Sequence, residues 1–346
     1  QQVNEYIPVR PHSEESATTV QTGRWNSGAR PYNDVGIDGS GGGLAPGQVL
    51  MVLDSGIQLD AGDLSDTSTT AGTAGPTHRK VLRYESTASF GGTGDLVGCD
   101  FPQQGGYTHG NLVSATALGL ATNVAPAYGT GWEATDDNGN SWGLDGVAPG
   151  AKLVAFDSQI TPPSVSCDDP LLGNFDVGNL YIAPNGGSLG ESYTANGARI
   201  FNFSWGANLN SYTTNAIEVD EFLFDNKNAM IFISAGNEGD DADSDGFPDL
   251  GTLGTPATTK NGLAIGASGV GNDLGEGGQP RDRAFFSSMG PAADTNPVSG
   301  RVAPQLMAPG NENGGGDMGM ASEYGCRSND NDQLSPVECD TISAIE

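Results

Sequence analysis

The stretch QVLMVLD, residues 48–54, runs straight into SGI at 55–57, so a short apolar segment ends on a carboxylate and a turn. An unbroken apolar run of this length is the pattern of a strand buried on both faces, as in a parallel sheet covered by helices. The pattern returns at KLVAFD (152–157), RIFNFSW (199–205), AMIFISAG (229–236), GLAIGAS (262–268) and QLMAPG (305–310), each bounded by Gly, Pro or Asp. Between several of these runs lie helical patterns: NLVSATALGLA after His109, and TTNAIEVDEFLFDNKN, where Ile217, Phe222 and Leu223 can share a face. Strands alternating with helices predict an α/β, doubly wound, mostly parallel central sheet with helices on both faces. In such a sheet chemistry gathers beyond the carboxyl ends of the strands. That rule selects Asp54 after the first run, Asn237 after the fourth, and His109 at the start of a helix.

Composition narrows the function classes. A chain of 346 residues can bury a sizeable core, and one domain over 1–346 is expected, with 1–44 as an N-terminal arm and 311–346 as a polar loop. The segment from about 56 to 108, rich in Gly, Thr and Ser, reads as a surface excursion. The balance of 14 Lys+Arg against 43 Asp+Glu gives a formal charge of -29, which repels phosphate backbones and anionic lipid head groups. Neither nucleic acid nor a membrane is an expected partner. No stretch reaches the ~20 apolar residues of a membrane helix, and QQVNEYIPVR has neither the basic nor the apolar region of a signal peptide. No Met opens the chain, so processing is expected.

Four cysteines, Cys99, Cys167, Cys326 and Cys339, lack the CxxC spacing of a zinc or redox site. Two disulfides in an oxidising, extracellular compartment are expected. Cys326 and Cys339 are near enough to close a local loop, leaving Cys99 with Cys167, among three connectivities.

Serine-nucleophile catalysis needs an imidazole to take the serine proton and a carboxylate to fix the tautomer of that imidazole. Asp, then His, then Ser is one chain order in which such groups occur. VLDSGI places Asp54 at a strand end and THGNLVSATALG places His109 at a helix start. With these segments the chain resembles the subtilase family of serine peptidases: VLDSGI is similar to its aspartate box and THGNLVSA to its histidine box, with Asn111 where that box commonly has Thr. DGVAPGAKLVAF (145–156), NFSWG (202–206), SAGNEG (234–239), TPATTKNGLAIGAS (255–268) and FSSMGP with RVAPQLMAPG (286–310) resemble further family segments, in family order. The resemblance implies that Asn237 supplies the oxyanion amide, with Ala235 and Gly236 before it. It also implies that the backbone of Ser204, Trp205 and Gly206 aligns a peptide or protein substrate as an added strand. For Trp205 a packing role is the other reading.

DDADSDGFPDLG, 240–251, carries a second chemistry. Asp241, Asp243 and Asp245 alternate, Gly246 permits a sharp turn, and Asp249 follows, so the carboxylates repel one another unless a hard cation sits among them. The D-x-D-x-D-G spacing is that of a calcium loop, with the Phe247 carbonyl as a further ligand. Thr252 stands at the twelfth position where an EF-hand has Glu. Ca2+ is therefore the expected cofactor. Asp136, Asp137 and Asn138 read as surface loop.

The family's serine sits in a G-T-S-M-A type box at the start of a buried helix, and no such box occurs here. The nearest string, DMGMAS at 317–322, puts Gly319 where the nucleophile would fall, and Ser322, Ser328, Ser335 and Ser343 lie in polar, Gly- and Asp-rich sequence. The expectation is a secreted serine endopeptidase, incomplete at its C-terminus, whose serine arrives on a C-terminal fragment of the same protein that stays bound. The competing expectations are a catalytically inactive, calcium-stabilised subtilase-like binding protein and a structural calcium-dependent surface domain.

Overall fold

In a computed structural model of the chain, residues 20–22, 29–41, 47–57, 59, 64–67, 72–91, 109–120, 145–160, 174–269, 282–293, 300–311, 328–329 and 333–334 are described. All six apolar runs become strands of one sheet, and a seventh joins them. These are β1 (Val49–Asp54), β2 (Val81–Ser86), β3 (Lys152–Asp157), β4 (Ile200–Phe203), β5 (Met230–Ser234), β6 (Leu263–Gly269) and β7 (Leu306–Asn311), paired in the order β2-β3-β1-β4-β5-β6-β7. Every pairing is parallel. The carboxyl ends therefore share one edge, and β1 stands near the centre, where the strand order reverses.

The excursion expected at 56–108 is corrected in part, because Val81–Ser86 forms the edge strand of the sheet. VLRYES escaped notice because an edge strand needs fewer apolar residues: its middle four positions are only half-buried, and Arg83 reaches Glu85 at 2.7 Å and Glu191 at 2.8 Å.

One face of the sheet is covered by α2 (Gly187–Ala195) and α3 (Thr214–Asp225). Their Leu189, Val219 and Phe222 pack with Met51, Phe201, Phe203, Ile231 and Ile233 in the larger core. Of the residues expected on the apolar face of α3, Phe222 and Leu223 are buried and Ile217 is not. Ala216, Val219, Asp220 and Leu223 are buried at the i, i+3, i+4, i+7 spacing of a single stripe, while Ile217 falls outside it and is 38% exposed.

On the other face, α1 (His109–Leu118) lies over β1 and β3, with Leu118 against Val52, Leu153 and Ala155. Val52 pairs with Asn202, Asn202 with Phe232, and Phe232 with Leu263, so these residues share the α1 face. Across β4 to β6 that face is only half-buried, and burial alternates along each strand.

Residues 29–41 of the expected arm lie against 145–151. Arg30 is 1% exposed and donates to the carbonyls of Asp145 and Gly146, and Gly150 N donates to Asp38 O. The four cysteines, Asp136–Asn138 and residues 317–322 lie outside the described residues.

Candidate active site

Asp54 ends β1 and is 2% exposed. Its Oδ1 accepts from Ser55 N at 2.8 Å and lies 2.7 Å from Nδ1 of His109, the first residue of α1. A carboxylate can only accept, so Nδ1 carries the proton of this contact and Nε2 is left as the basic nitrogen. Burial pulls the His109 imidazolium down, the hydrogen bond to Asp54 and the charge of that carboxylate push it up, and the balance stands above the ordinary value of 6.5. The His109 side chain is 44% exposed against 3% for that of Asp54, so the ring faces solvent from a buried anchor.

Two neighbours set this geometry, and residue-type reasoning missed both. Ser55 Oγ accepts from Gly110 N at 2.9 Å, tying the first turn of α1 to the residue after the carboxylate. A Cβ on Gly110 would collide with the Gly56 carbonyl oxygen, and Gly56 holds φ at 100°. Only glycine fits at 110, and the turn at 56 favours it. The signal was present in the sequence, as Ser-Gly after Asp54 and Gly after His109.

The strands that follow β1 bring their own ends to the same edge. Phe203 pairs with Ile233, so Ser204–Gly206 after β4 and Ala235–Asn237 after β5 leave the sheet side by side. Neighbouring strands lie about 4.8 Å apart, which places the end of β5 about 10 Å from that of β1. Ser204 Oγ accepts from Asn202 Nδ2 at 2.9 Å. The Trp205 ring stands 5.1 Å from that of Phe203 and 5.7 Å from that of Phe175, so packing is part of its role. A Cβ on Gly206 would come to 2.8 Å from the Thr255 carbonyl oxygen. Ala235 is buried, with its N–H on Ile265 O at 2.8 Å and its carbonyl taken by Gly254 N at 2.9 Å. Gly236 has φ of 111°, and Asn237 is exposed.

The acidic loop is also compact. One carboxylate oxygen from each of Asp241, Asp243 and Asp245 lies within 4.8 Å of the others, and all three residues are exposed. Asp241 Oδ1 accepts from Asp245 N at 3.0 Å, Asp241 Oδ2 from Gly246 N at 2.9 Å, and Asp245 Oδ1 from Phe247 N at 2.8 Å. Gly246 turns with φ of 91° and Asp249 Oδ2 accepts from Ala242 N at 3.1 Å. Thr252 Oγ1 accepts from Met289 N at 3.0 Å, so the twelfth position is engaged in the fold. A ring of hard oxygens this tight suits a hard divalent cation.

Residues 45–336 match the model of the subtilase family. Among solved structures, a psychrophilic subtilisin-like protease of an Antarctic Pseudoalteromonas is 16% identical at a TM-score of 0.42, over 76% of this chain and 41% of that one. Proteases from Pseudoalteromonas arctica are 17% identical at a TM-score of 0.46, over 90% of this chain and 76% of that chain. Sphericase is 19% identical at 0.39, over 84% and 80%. This chain thus spans less than half the length of the first of these. No curated protein matches it.

Proposed function

The chain belongs to the subtilase family, and from that premise we propose that it is the aspartate- and histidine-bearing part of a secreted serine endopeptidase. The observation that carries this reading is the 2.7 Å contact between His109 Nδ1 and the buried Asp54 carboxylate at the carboxyl edge of the sheet.

In this mechanism Asp54 holds His109 in the tautomer with the proton on Nδ1, leaving Nε2 as general base. Nε2 takes the hydroxyl proton of a serine supplied from outside these 346 residues, by a C-terminal segment of the same protein. The oxygen attacks the scissile carbonyl, and the Asn237 amide donates to the oxyanion that forms. The tetrahedral species collapses as the imidazolium returns its proton to the leaving amine, and a water activated by the same Nε2 hydrolyses the acyl ester. Ser204–Gly206 would pair with substrate backbone, and Ala235 and Gly236 would border the scissile bond. Among the described residues the α1 face over β4 to β6 is only half-buried, and parallel sheets are normally covered on both faces, which supports a further helix packing there.

The acidic loop would hold Ca2+ through Asp241, Asp243, Asp245, Asp249 and the Phe247 carbonyl. Bound calcium would neutralise mutual repulsion in the loop that follows Asn237 and takes no part in proton transfer.

The test is fluorophosphonate labelling of the chain assembled with its serine-bearing segment. Labelling of that segment, lost in His109→Ala, is the expected result. Peptide binding with no label and no turnover would instead support the inactive binding protein.

A further inference from the structure

Two glycines bracket Asn237 and Glu238, and both look onto the same neighbour. A Cβ on Gly236, whose φ is 111°, would stand 2.9 Å from Ser288 Oγ. A Cβ on Gly239 would collide with the Ser287 carbonyl oxygen. The segment Phe286–Ser288 therefore approaches the loop too closely for any side chain at those positions. Its contacts are specific. Ser288 N donates to the Gly236 carbonyl at 2.9 Å, Glu238 N donates to Ser288 Oγ at 2.9 Å, and Gly239 N donates to the Phe286 carbonyl at 2.7 Å. Ser288 is 0% exposed.

We infer that Ser288 is a positioning residue for Asn237, a claim that rests on the peptidase reading above. A trans peptide unit is planar and points its C=O and N–H in opposite directions. Holding the Gly236 carbonyl on Ser288 N turns the Asn237 N–H away from Ser288. Holding the Glu238 N–H on Ser288 Oγ turns the Asn237 carbonyl away as well. With the peptide planes on both sides fixed by one residue, φ and ψ of Asn237 are fixed, and so is the direction of its Cα–Cβ bond. No hydrogen bond among the described residues reaches the Asn237 side chain, so the backbone alone sets where its amide starts from. An oxyanion donor works by being aimed before charge develops, and one that must first be turned gives up part of its effect.

The clamp is itself anchored. Arg283 Nη1 donates to the carbonyls of Phe285 at 2.8 Å and Ser287 at 2.7 Å, and Ser287 Oγ accepts from Ala267 N of β6 at 2.9 Å. Asn237 is thereby referred to the sheet through Ser288.

The experiment is a double-mutant cycle on the chain assembled with its serine-bearing segment. Ser288→Ala is expected to lower kcat about tenfold with KM changed by less than about twofold, the effect of one misdirected donor. In the Asn237→Gly background the same substitution is expected to cost nothing further. Hydrogen exchange at the Glu238 amide, measured on the chain alone, should accelerate in Ser288→Ala. Ser288→Cys, which keeps the shape and a weaker acceptor, should fall between. An equal loss in both backgrounds, an unchanged kcat, or failure of both Ser288 variants to fold would each overturn the proposal, leaving Ser288 as core. If the unaltered protein hydrolyses nothing, it is the peptidase reading that fails, and exchange at Glu238 then decides whether the clamp exists.

Discussion

Two carboxylate sites in this molecule solve the same electrostatic problem in opposite ways. Asp54 is 2% exposed and meets the imidazole of His109 at 2.7 Å, whereas Asp241, Asp243 and Asp245 are all exposed and meet chiefly backbone N–H groups and one another. A buried charge without a partner costs several kcal/mol, so the fold has to supply the partner of Asp54 from its own sequence. Exposed carboxylates can lean on water, so the loop can fold without its counter-ion and gain it later. The first arrangement is anchored within the fold through Asp54 Oδ1, and its disruption should strike chemistry. The second depends on what is dissolved around it, and its disruption should strike stability.

The sharpest way to break this contrast is Asp54→Asn. The amide fills the same buried space but can no longer fix the Nδ1–H tautomer, and kcat of the assembled peptidase should fall about 10⁴-fold, as for carboxylates of this type elsewhere. Thermal unfolding measured alongside separates this from collapse of the core, and a loss under tenfold in a folded variant would mean that Asp54 does not orient His109. Next in size is Asn237→Gly, which removes one oxyanion donor and should lower kcat about 10² to 10³-fold with little change in KM. A rise in KM with unchanged kcat would move Asn237 from transition-state stabilisation to substrate binding.

Acidity probes the same pair more gently. The His109 pKa is raised, with burial opposed by the hydrogen bond and charge of Asp54, and catalysis needs the neutral imidazole. The acid limb of kcat/KM should therefore lie above pH 6.5, and a limb at or below that value in the free enzyme would contradict the pairing. Stability runs the other way. A group whose folded pKa exceeds its unfolded value contributes stability that is full below the unfolded pKa and is lost as pH rises through the folded one. The imidazolium contribution to stability should thus fade over the interval in which activity appears, and paired pH titrations of activity and of the unfolding free energy would show whether the two cross.

What could be read from the sequence follows the same division. The strands β1 and β3 had to be unbroken apolar runs because both their faces meet protein, and VLMVLD and KLVAFD were visible for that reason. VLRYES was hidden because an edge strand can carry Arg83 and Glu85, and the helix GSLGESYTA was hidden by its own glycines and serines. Asp54, His109 and Asn237 were legible as residue types at strand and helix ends. The roles of Ser55, Gly110 and Ser288 were not, even where the residue types stood beside Asp54 and His109, because they are backbone contacts made across 55 residues or 50 residues of chain. Spacing can suggest a ring of oxygens in a local loop, but it cannot show which distant backbone a hydroxyl will meet.

The smallest effect belongs to the exposed loop, and calcium should decide it. Thr252 is engaged with Met289, so the site lacks the bidentate twelfth ligand of the tightest calcium loops, and its solvent exposure points to an affinity of about 10⁻⁴ M. At roughly 10 mM Ca2+ the folded state then gains about 2.7 kcal/mol over the calcium-free protein, because the unfolded chain has no assembled site. For a chain of this size the melting temperature should rise on the order of 5 °C. Asp243→Asn should abolish most of that rise while changing the melting temperature in EDTA little, or even raising it, since one of three like charges is removed. Equal calcium-dependent shifts in the two proteins would place the ion elsewhere, and the exposed cluster would then be a solvated acidic turn whose repulsion water alone relieves.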